Sequence, residues 1–294
     1  MANLKEVRNR IDSISSTQQI TKAMKMVAAA KLKRAQDNII QLRPYAQKLG
    51  EILKNVTSSA SEGAETVYST VRPVEKVLIV VVTSDRGLCG GFNSSILKTV
   101  SNLINSKYKA QNEAGDLELL PVGKKGLEFF ERRNFKMITD YSTLFGRLSF
   151  DNVKEAAEFA MNAFEEGVYD EITIVYNEFK NVAMQIIRTE QFLPIVEVEK
   201  EDKISSNVDY LFEPSQDFIV KELIPKSLKI QFFRALLESN ASEHGARMTA
   251  MDKATENAGE MLKDLKLVYN RTRQAAITTE ILEIVGGAEA LAKS

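Results

Sequence analysis

An apolar seven-residue repeat runs through the first 57 residues and constrains the fold more than any other feature of the chain. Two positions in each heptad hold mainly Leu, Ile, Val or Ala, and the polar exceptions, Gln18, Thr21 and Lys25, are consecutive. The seam comprises Leu4, Val7, Ile11, Ile14, Gln18, Thr21, Lys25, Ala28, Leu32, Ala35, Ile39, Leu42, Ala46, Leu49, Leu53 and Val56. A 3.5-residue repeat held over eight heptads predicts a long coiled-coil helix. At about 1.5 Å per residue it is roughly 80 Å long, so it needs a partner helix.

This helix is predicted to be uninterrupted except at Pro44. No glycine precedes Gly50, which agrees with a continuous helix. Pro44 has no backbone N–H to donate, so we expect a kink or a local break at that point.

The N-terminal segment is basic, although the whole chain has a formal net charge of −1. Residues 1–57 contain eleven Lys and Arg against four Asp and Glu, and no acid occurs from Ser13 to Gln36. Charges of this kind usually form a solvated helix face. Nucleic-acid binding is a weaker interpretation, because Tyr45 is the segment's only aromatic residue. A sharper hypothesis is a basic collar that faces an acidic protein surface.

Strands and helices alternate in the middle of the chain, which indicates a compact α/β domain. The apolar run Lys76–Asp85 is typical of a parallel strand buried on both faces. Further strands are predicted at 117–122, 135–139, 171–176 and 183–188, the last two as an antiparallel pair. Helices are predicted at 93–112, with Asn93 as the N-cap, and at 124–133 and 149–166.

A glycine-rich loop, Arg86–Phe92, follows the first strand, where a Rossmann domain would bind a dinucleotide. Its glycines lack the G-x-G-x-x-G spacing, and Gly123-Lys-Lys-Gly126 lacks the P-loop pattern. A turn that reverses the chain is therefore the favoured interpretation, and no cofactor site is predicted.

The single cysteine and the single histidine are not predicted to form a catalytic pair. Cys89 lies beside Arg86 and near a helix N-terminus, which would lower the pKa of its thiol. His244 falls in a distant helical segment and is expected on the helix surface. One cysteine excludes an intramolecular disulfide and a cysteine metal cluster, so neither a catalytic residue nor a metal site is predicted. No apolar run approaches the roughly 18 residues of a membrane span.

A second heptad seam returns in the C-terminal segment, and Pro225 is expected in the first turn of that helix. The seam comprises Met251, Ala254, Ala258, Met261, Leu265, Val268, Thr272, Ala275, Thr279 and Leu282. Two terminal helices separated by a domain must be antiparallel if they pair within one chain. The predicted fold class is therefore α+β, with a long antiparallel coiled coil of N- and C-terminal helices and a central Rossmann-like α/β domain. The expected boundaries are an N-terminal helix at 1–57, a linker at 58–75, an α/β foot domain at 76–196, a linker at 197–214 and a C-terminal helix at 215–294.

Five segments of the chain carry a resemblance to a known family. They are residues 20–31 (ITKAMKMVAAAK), 84–91 (SDRGLCGG), 246–251 (ARMTAM), 267–278 (LVYNRTRQAAIT) and 283–291 (EIVGGAEAL). Together they closely resemble the γ subunit family of rotary proton-translocating ATP synthases, from end to end of the chain. The resemblance favours a bacterial member, because Cys89 has no second cysteine with which to form the regulatory pair of chloroplast members, and because the N-terminus has no transit segment.

The resemblance implies a non-catalytic central rotor shaft. Its partners would be a ring of three α and three β subunits, which hold the nucleotides, together with the ε subunit and the membrane c-ring. Rotation of the shaft would couple proton flow to ATP synthesis at the β subunits, or the reverse during ATP hydrolysis. The chain itself would bind no nucleotide and no nucleic acid, and it would be peripheral at the cytoplasmic face of the bacterial membrane.

The same resemblance implies contact positions, carried over residue by residue. Those facing β subunits are Met24, Lys25, Arg247, Arg273, Gln274, Thr278 and Glu280. Tyr210 and Glu213 match positions near the c-ring.

The apolar end of the C-terminal helix is expected to lack a partner within the chain. If Val56 pairs near Leu223, then Leu4 meets the second helix near Ala275, and everything beyond is unpaired. We expect an apolar sleeve formed by α and β subunits to cover this tip. The tip residues are Ile277, Ile281, Leu282, Ile284 and Val285. Gly286 and Gly287 would let the last turn fray or bend.

Two other classes of function are weaker alternatives. A nucleotide-binding α/β enzyme would need a phosphate-binding loop, and no loop in the sequence fits. A basic coiled-coil protein that binds nucleic acid would depend on the collar by itself.

Overall fold

In the computed structural model, which describes residues 4–59, 67–195 and 216–292, one long helix precedes an α/β region in the chain and another follows it. In chain order the elements are α1 (Leu4–Ser59), β1 (Val77–Val82), α2 (Phe92–Ser106), α3 (Lys109–Ala114), β2 (Leu117–Val122), α4 (Lys124–Glu131), α5 (Phe150–Glu165), β3 (Glu171–Phe179), β4 (Gln185–Leu193) and α6 (Gln216–Ala292), with 3-10 turns at Val67–Ser69 and Leu144–Arg147. The predicted α+β fold class is confirmed. Within the described ranges, no helix is both long and apolar enough to span a membrane.

The chain divides into two units. The first consists of Met1–Ala28 with Met248–Ser294, and the second of Ala29–Arg247. The first therefore holds only turns of α1 and α6 in its described part, while the second holds the sheet, its covering helices and the remaining turns of α1 and α6.

Within the first unit, α1 and α6 pair in the predicted antiparallel sense, since Gln18 contacts Thr255 while Lys25 contacts Asp252. The seam side chains of α1 are buried or half-buried from Leu4 to Ala28, as the repeat predicts.

The seam of α6 differs from the prediction at alternate positions. Met261 and Val268 are 48% and 43% exposed, and Leu262 and Tyr269 are half-buried in their place. From Met251 to Thr272, the seam-facing positions that are buried or half-buried are Met251, Ala254, Thr255, Ala258, Gly259, Leu262, Leu265, Tyr269 and Thr272, so Ala254 is half-buried as predicted. Beyond them, the predicted seam residues Ala275, Thr279 and Leu282 are exposed. A 3.5-residue repeat alternates steps of three and four residues, and the two possible phases differ by one residue at every second position. Both phases place an apolar residue at most of these positions, so the sequence pattern did not distinguish them.

Within the second unit, four strands of the described residues form one sheet in the order β2-β1-β3-β4. β1 is parallel to β2 and β3, and β4 is antiparallel to β3, as predicted. All six residues of β1 are buried, which confirms a strand covered on both faces. The strand predicted at 135–139 is wrong: only an isolated bridge forms, between Met137 and Leu119. Its aromatic residue, Phe135, packs edge-on against the ring of Phe130 instead of extending a strand.

Alternate side chains of β1 face two different cores, as the pleat requires. Leu78, Val80 and Val82 share a core with residues of α5 and α6. Val77, Ile79 and Val81 share the other core with residues of α2. Because both faces of β1 are covered, a site on this sheet must lie at the ends of its strands.

The helix predicted at 93–112 is two helices, α2 and α3, because Tyr108 turns the chain between them. The side chain of Tyr108 is buried, and its hydroxyl donates to Glu171 Oε1 at 2.8 Å. α2 begins at Phe92 with Gly91 as its N-cap, so the prediction of Asn93 as the N-cap is wrong.

Both prolines of the long helices lie inside continuous helix. α1 remains helical through the exposed Pro44, so the predicted local break is absent. Buried Ile39 and Leu49 anchor the turns on either side of it. α6 begins at Gln216, well before Pro225, so the predicted first-turn position of that proline is wrong.

Candidate interaction site at the glycine-rich loop

The glycine-rich loop between β1 and α2 is a tight, hydrogen-bonded turn. Ser84 anchors its base, because its backbone N–H donates to Asn93 Oδ1 at 3.0 Å and its hydroxyl donates to the Arg86 carbonyl oxygen at 2.7 Å. Leu88 and Gly90 adopt left-handed backbone angles, with φ of 62° and 59°. Asn93 therefore closes the loop instead of capping the helix.

The loop buries one side chain and exposes its neighbour. Cys89 is 1% exposed, and Asn93 Nδ2 donates to its sulfur at 3.3 Å. Leu88 is 65% exposed although its backbone is in a conformation that disfavours any side chain. Backbone strain of this kind persists only where surrounding contacts impose it, and it often marks a functional segment.

Helix α6 fills the crevice where an open α/β sheet usually binds its ligand. That crevice lies at the carboxyl ends of neighbouring strands where the strand order reverses, which here is between β1 and β3. The hydroxyl of Ser242 on α6 donates to the Asn177 carbonyl oxygen of β3 at 3.1 Å. Arg247, also on α6, donates from Nη2 to the carbonyl oxygen of Arg86, just after β1, at 2.9 Å. The chain itself thus occupies the position that a dinucleotide takes in Rossmann proteins.

Arg247 ties α6 to the loop through two hydrogen bonds and makes two more within α6. Nη2 donates to the carbonyl oxygens of Arg86 and Gly87, at 2.9 and 3.2 Å. Nη1 donates to Glu243 Oε1 at 2.5 Å and to His244 Nδ1 at 3.4 Å. The side chains of Arg247 and Glu243 are only 12% and 9% exposed. A planar guanidinium can serve several acceptors in fixed directions, which an ammonium group cannot.

Burial sets the charge states around Arg247. Burial, with the charges of Arg247 and Lys31, lowers the pKa of His244 to about 4, so the ring is neutral near pH 7 and Nδ1 can accept a hydrogen bond. Burial raises the pKa of Glu243, and Arg247 opposes that shift. His244 is buried, so its predicted position on a helix surface is wrong. The helix face that carries it is covered, which the local sequence did not reveal.

The pKa of Cys89 is raised, whereas the sequence predicted a lowered value. Burial is the largest cause, and the hydrogen bond with Ser84 and the charge of Arg247 only partly offset it. The thiol is therefore protonated and shielded at neutral pH, which is unsuitable for a nucleophile.

The three polar residues that interrupt the α1 seam all contact α6 in the first unit. Gln18 Nε2 donates to the Thr255 carbonyl oxygen at 3.4 Å, and the Thr255 hydroxyl donates to the Thr21 hydroxyl at 2.8 Å. Lys25 forms an ion pair with Asp252 at 2.5 Å, and its side chain is 38% exposed. The charge of Lys25 is therefore shared within the chain, and its contact with a β subunit stays a prediction.

The other predicted contact residues lie mainly on exposed helix surface. Met24 is half-buried on α1. The exposed residues of α6 in this set are Arg273, Gln274, Thr278 and Glu280. Tyr210 and Glu213, predicted to lie near the c-ring, fall outside the described residues.

The tip of α6 exposes a group of aliphatic side chains that are between 48% and 71% exposed. They are Ile277, Ile281, Leu282, Ile284 and Val285. The helix continues to Ala292 through Gly286 and Gly287, so the expected fraying is not seen there, while a bend at these glycines stays a prediction. Helical residues on both sides hold the two glycines in the helix.

Sequence reasoning missed the contact between Arg247 and the loop. The i,i+4 spacing of Glu243 and Arg247 could have predicted their ion pair within one helix. The acceptors, however, are backbone carbonyls about 160 residues earlier in the chain, and backbone groups carry no residue-type signal.

The fold and this site define a class: an α+β protein whose terminal helices pair and whose own helix fills the ligand crevice of its sheet. The ATP synthase family model matches residues 3–291. The chain is 60% identical over 293 residues to the ATP synthase gamma chain of Cytophaga hutchinsonii, covering 99% of both chains. It is 52% identical over 292 residues to that of Flavobacterium psychrophilum, again covering 99% of both. The chain belongs to the family of ATP synthase gamma chains, which are subunits of the ATP synthase complex.

Solved structures contain similar chains. One, from the central stalk and c-ring structure of Tetrahymena thermophila mitochondrial ATP synthase, has a TM-score of 0.56 at 27% identity and covers 80% of this chain and 99% of that chain. Another, from the rotor structure of Euglena gracilis mitochondrial ATP synthase, has a TM-score of 0.63 and covers 93% of this chain and 98% of that chain. At 20% identity, the second likeness shows the fold alone.

Proposed function

We propose that this chain is the central rotor subunit of an ATP synthase. It couples proton-driven rotation of a membrane c-ring to ATP synthesis at the β subunits, and works in reverse during ATP hydrolysis. Its partners are the α and β subunits of the catalytic ring, the ε subunit and the c-ring. The observation that carries this proposal is the similarity to ATP synthase gamma chains over 99% of both chains.

The chain takes part in this reaction without catalysing it. Support comes from the crevice of the sheet, where Ser242 and Arg247 of α6 occupy the place of a ligand. The sulfur of Cys89 is buried, and the raised pKa of its thiol keeps it protonated. Nucleotides are bound by the α and β subunits, and the chain binds neither nucleotide nor nucleic acid itself.

The surface that meets the β subunits consists of residues on the two long helices. The family resemblance assigns Met24, Lys25, Arg247, Arg273, Gln274, Thr278 and Glu280 to it. Exposure supports the four residues between Arg273 and Glu280, whose side chains are open to a partner. An acidic β surface would compete with Asp252 for the charge of Lys25.

The apolar tip of α6 turns inside a sleeve formed by the α and β subunits. Five aliphatic side chains of this tip, from Ile277 to Val285, are largely exposed in the chain by itself. Exposed apolar surface of this kind marks a contact region. Aliphatic contacts are non-directional, which suits a surface that must rotate against its partner.

A second contact region of the chain is with the c-ring of the membrane sector. The family pattern assigns Tyr210 and Glu213 to the c-ring. The chain is then a peripheral component at the cytoplasmic face of the bacterial membrane, held there by its complex.

Reconstitution tests this function. The purified chain is mixed with purified α and β subunits, and ATP hydrolysis is measured for each part and for the assembly. We expect no turnover by the chain and a stable, active assembly that requires it. Lys109→Ala, at a 70% exposed side chain of the α/β unit, is the control variant and should assemble normally. ATP hydrolysis by the chain itself would support the enzyme alternative, and salt-dependent binding to random DNA would support the nucleic-acid alternative.

A further inference from the structure

Arg247 connects α6 with a strained loop that carries both a buried and an exposed apolar side chain. We infer that Arg247 is a positioning residue whose guanidinium latches residues 85–91 to α6, keeping Cys89 inside and Leu88 outside. The latch is defined as Arg247, Glu243 and the carbonyl groups of Arg86 and Gly87.

The loop depends on the latch because its own hydrogen bonds cover only part of it. The Phe92 N–H donates to the Cys89 carbonyl oxygen at 3.2 Å, and Ser84 donates to the Arg86 carbonyl oxygen. Arg247 supplies the hydrogen bond of the Gly87 carbonyl group, directly before Leu88. Leu88 has a φ of 62°, an unfavourable backbone angle for leucine. We expect it to relax when Arg247 no longer holds the neighbouring carbonyl groups.

The ion pair with Glu243 orients the guanidinium of Arg247 so that Nη2 faces the loop. Glu243 Oε1 accepts from Nη1 at 2.5 Å, while Nη2 donates to the two loop carbonyls. Both side chains of the pair are largely buried, so removal of one leaves a poorly solvated charge on the other. A lysine at this position retains the charge, but its single ammonium group lacks the planar, two-pronged geometry with which the guanidinium binds the loop and Glu243 together.

This role differs from a direct contact between Arg247 and a β subunit. Nη2 donates to the chain's own carbonyl groups and Nη1 to Glu243 and His244, and the side chain of Arg247 is 12% exposed. What the loop presents outward are the side chains of Arg86 and Leu88, both exposed. Arg247 therefore determines where those two side chains are held. The latch is a property of the chain itself and does not depend on the proposed rotor function.

Cys89 provides a built-in reporter of the latch. It is the only cysteine in the chain, it lies within the latched segment, and it is 1% exposed. A thiol reagent can reach it only when the loop opens locally or the whole unit unfolds. The reaction of the purified full-length chain with N-ethylmaleimide, followed by mass spectrometry, measures that opening.

The variants compared are Arg247→Ala, Arg247→Lys and Glu243→Gln. We expect Arg247→Ala to raise the labelling rate of Cys89 by about tenfold or more, with smaller increases for the other two. Lys229→Ala is the matched control, because it removes another ion pair of α6, with Glu158 at 2.5 Å, about 27 Å away along the helix at 1.5 Å per residue. Labelling in this control should remain close to the wild-type rate.

Urea separates local opening from global unfolding. Labelling through loop opening should depend little on low urea concentrations, because little surface is exposed, whereas labelling through unfolding should rise steeply. Circular dichroism checks that each variant is folded. The inference is overturned if Arg247→Ala labels at the wild-type rate, or if its labelling rises with the urea dependence of global unfolding. If Arg247→Ala does not fold, Arg247→Lys and Glu243→Gln decide the question by the same two criteria.

Discussion

Gly123, at the end of β2, has no space for a side chain. Its φ is 102°, and a Cβ atom there would lie 2.1 Å from the Thr83 carbonyl oxygen. Gly123→Ala should therefore lower the free energy of unfolding by at least about 3 kcal/mol, since it combines backbone strain with a clash against main chain. Urea unfolding measures the change.

The matched control for this substitution is Gly87→Ala. No atom lies within 4 Å of the Cβ position of Gly87, so the change should remain below about 1 kcal/mol. Similar small effects of the two substitutions would contradict the packing described for the strand ends.

His244 should make the stability of the chain fall in mild acid. Its pKa is lowered from 6.5 to about 4 in the folded chain, so the unfolded chain binds the extra proton first. The stabilising effect of the neutral ring is therefore complete above pH 6.5 and is lost as the pH falls from 6.5 through about 4. Between pH 7 and pH 5 the loss should be about 2 kcal/mol.

The comparison variant for this pH dependence is His244→Asn, measured by urea unfolding at both pH values. The charged groups near the ring are Arg247 and Lys31, with Glu243 paired to Arg247, and all three are present in both chains. The difference between wild type and variant isolates the histidine. An identical pH dependence of the two chains would show that His244 is not buried in its neutral form.

For individual residues, the sequence predicted a local backbone turn correctly but did not predict which polar side chains are buried. The glycine spacing favoured a turn, and Leu88 and Gly90 have the left-handed backbone angles of one. The burial of His244 and Cys89 could not be predicted, because it arises where α6 meets the carboxyl ends of β1 and β3, far apart in the sequence. Both pKa directions follow from that burial.

At the level of the helices, substitutions in the ion pair between Lys25 and Asp252 can distinguish a role of Lys25 in folding from a role in coupling ATP turnover to proton pumping. The two side chains are 38% and 58% exposed, so Lys25→Glu should cost only about 0.5–1 kcal/mol of unfolding free energy. The exchange Lys25→Asp with Asp252→Lys should restore most of that stability. In the assembled complex Lys25→Glu should weaken ATP-driven proton pumping if Lys25 contacts a β subunit as proposed. The exchange should not restore pumping, because position 25 is then still acidic.

Inverted membrane vesicles that carry the variant complexes measure pumping against ATP turnover. Full coupling in both the single variant and the exchanged pair would show that Lys25 is not needed for the contact with the β subunits.

The apolar tip of α6 should matter for assembly and not for the fold of the chain. Deleting residues 286–294 should leave thermal unfolding of the chain within about 2 °C, because Gly286, Gly287 and Ala288 at the start of the deleted segment are exposed, as are the tip side chains before them. Assembly with α and β subunits, or turnover of the complex, should fall only partly, since much of the apolar tip remains.

Single substitutions provide the control for this deletion. Leu282→Ala, at 66% exposure, should not change the stability of the chain, whereas Val7→Ala, at 5% exposure, should cost about 1–3 kcal/mol. A stability loss for Leu282→Ala equal to that for Val7→Ala would mean that the tip packs within the chain.

Element existence was predictable where one face repeats over many residues. The seam of α1 is buried or half-buried at each of its positions from Leu4 to Leu49. The phase of the α6 seam was not predictable, because Met261 and Leu262 are both apolar and only one can face α1. The break between α2 and α3 depends on the distant partner of Tyr108, Glu171, which local periodicity cannot detect.

At the scale of the whole molecule, function followed from motifs and not from chemistry at a site. The segments around Ile20, Ser84 and Leu267 carried the resemblance, and the match over residues 3–291 confirmed the family. The motifs do not reveal that the chain's own helix α6 fills the crevice of its sheet, through Ser242 and Arg247. The polar layer at Gln18, Thr21 and Lys25 is the other such feature, because all three contact α6.

Rotation of single assembled complexes is the most direct test of whether this chain is the rotor. A complex of the chain with α and β subunits is fixed to a surface through its β subunits. A probe is attached to a cysteine introduced as Lys109→Cys, whose side chain is 70% exposed, while Cys89 stays buried and protected. We expect the probe to turn in one direction when ATP is added and to stop when ATP is removed. Sustained ATP hydrolysis by complexes in which a firmly attached probe stays stationary would contradict the account.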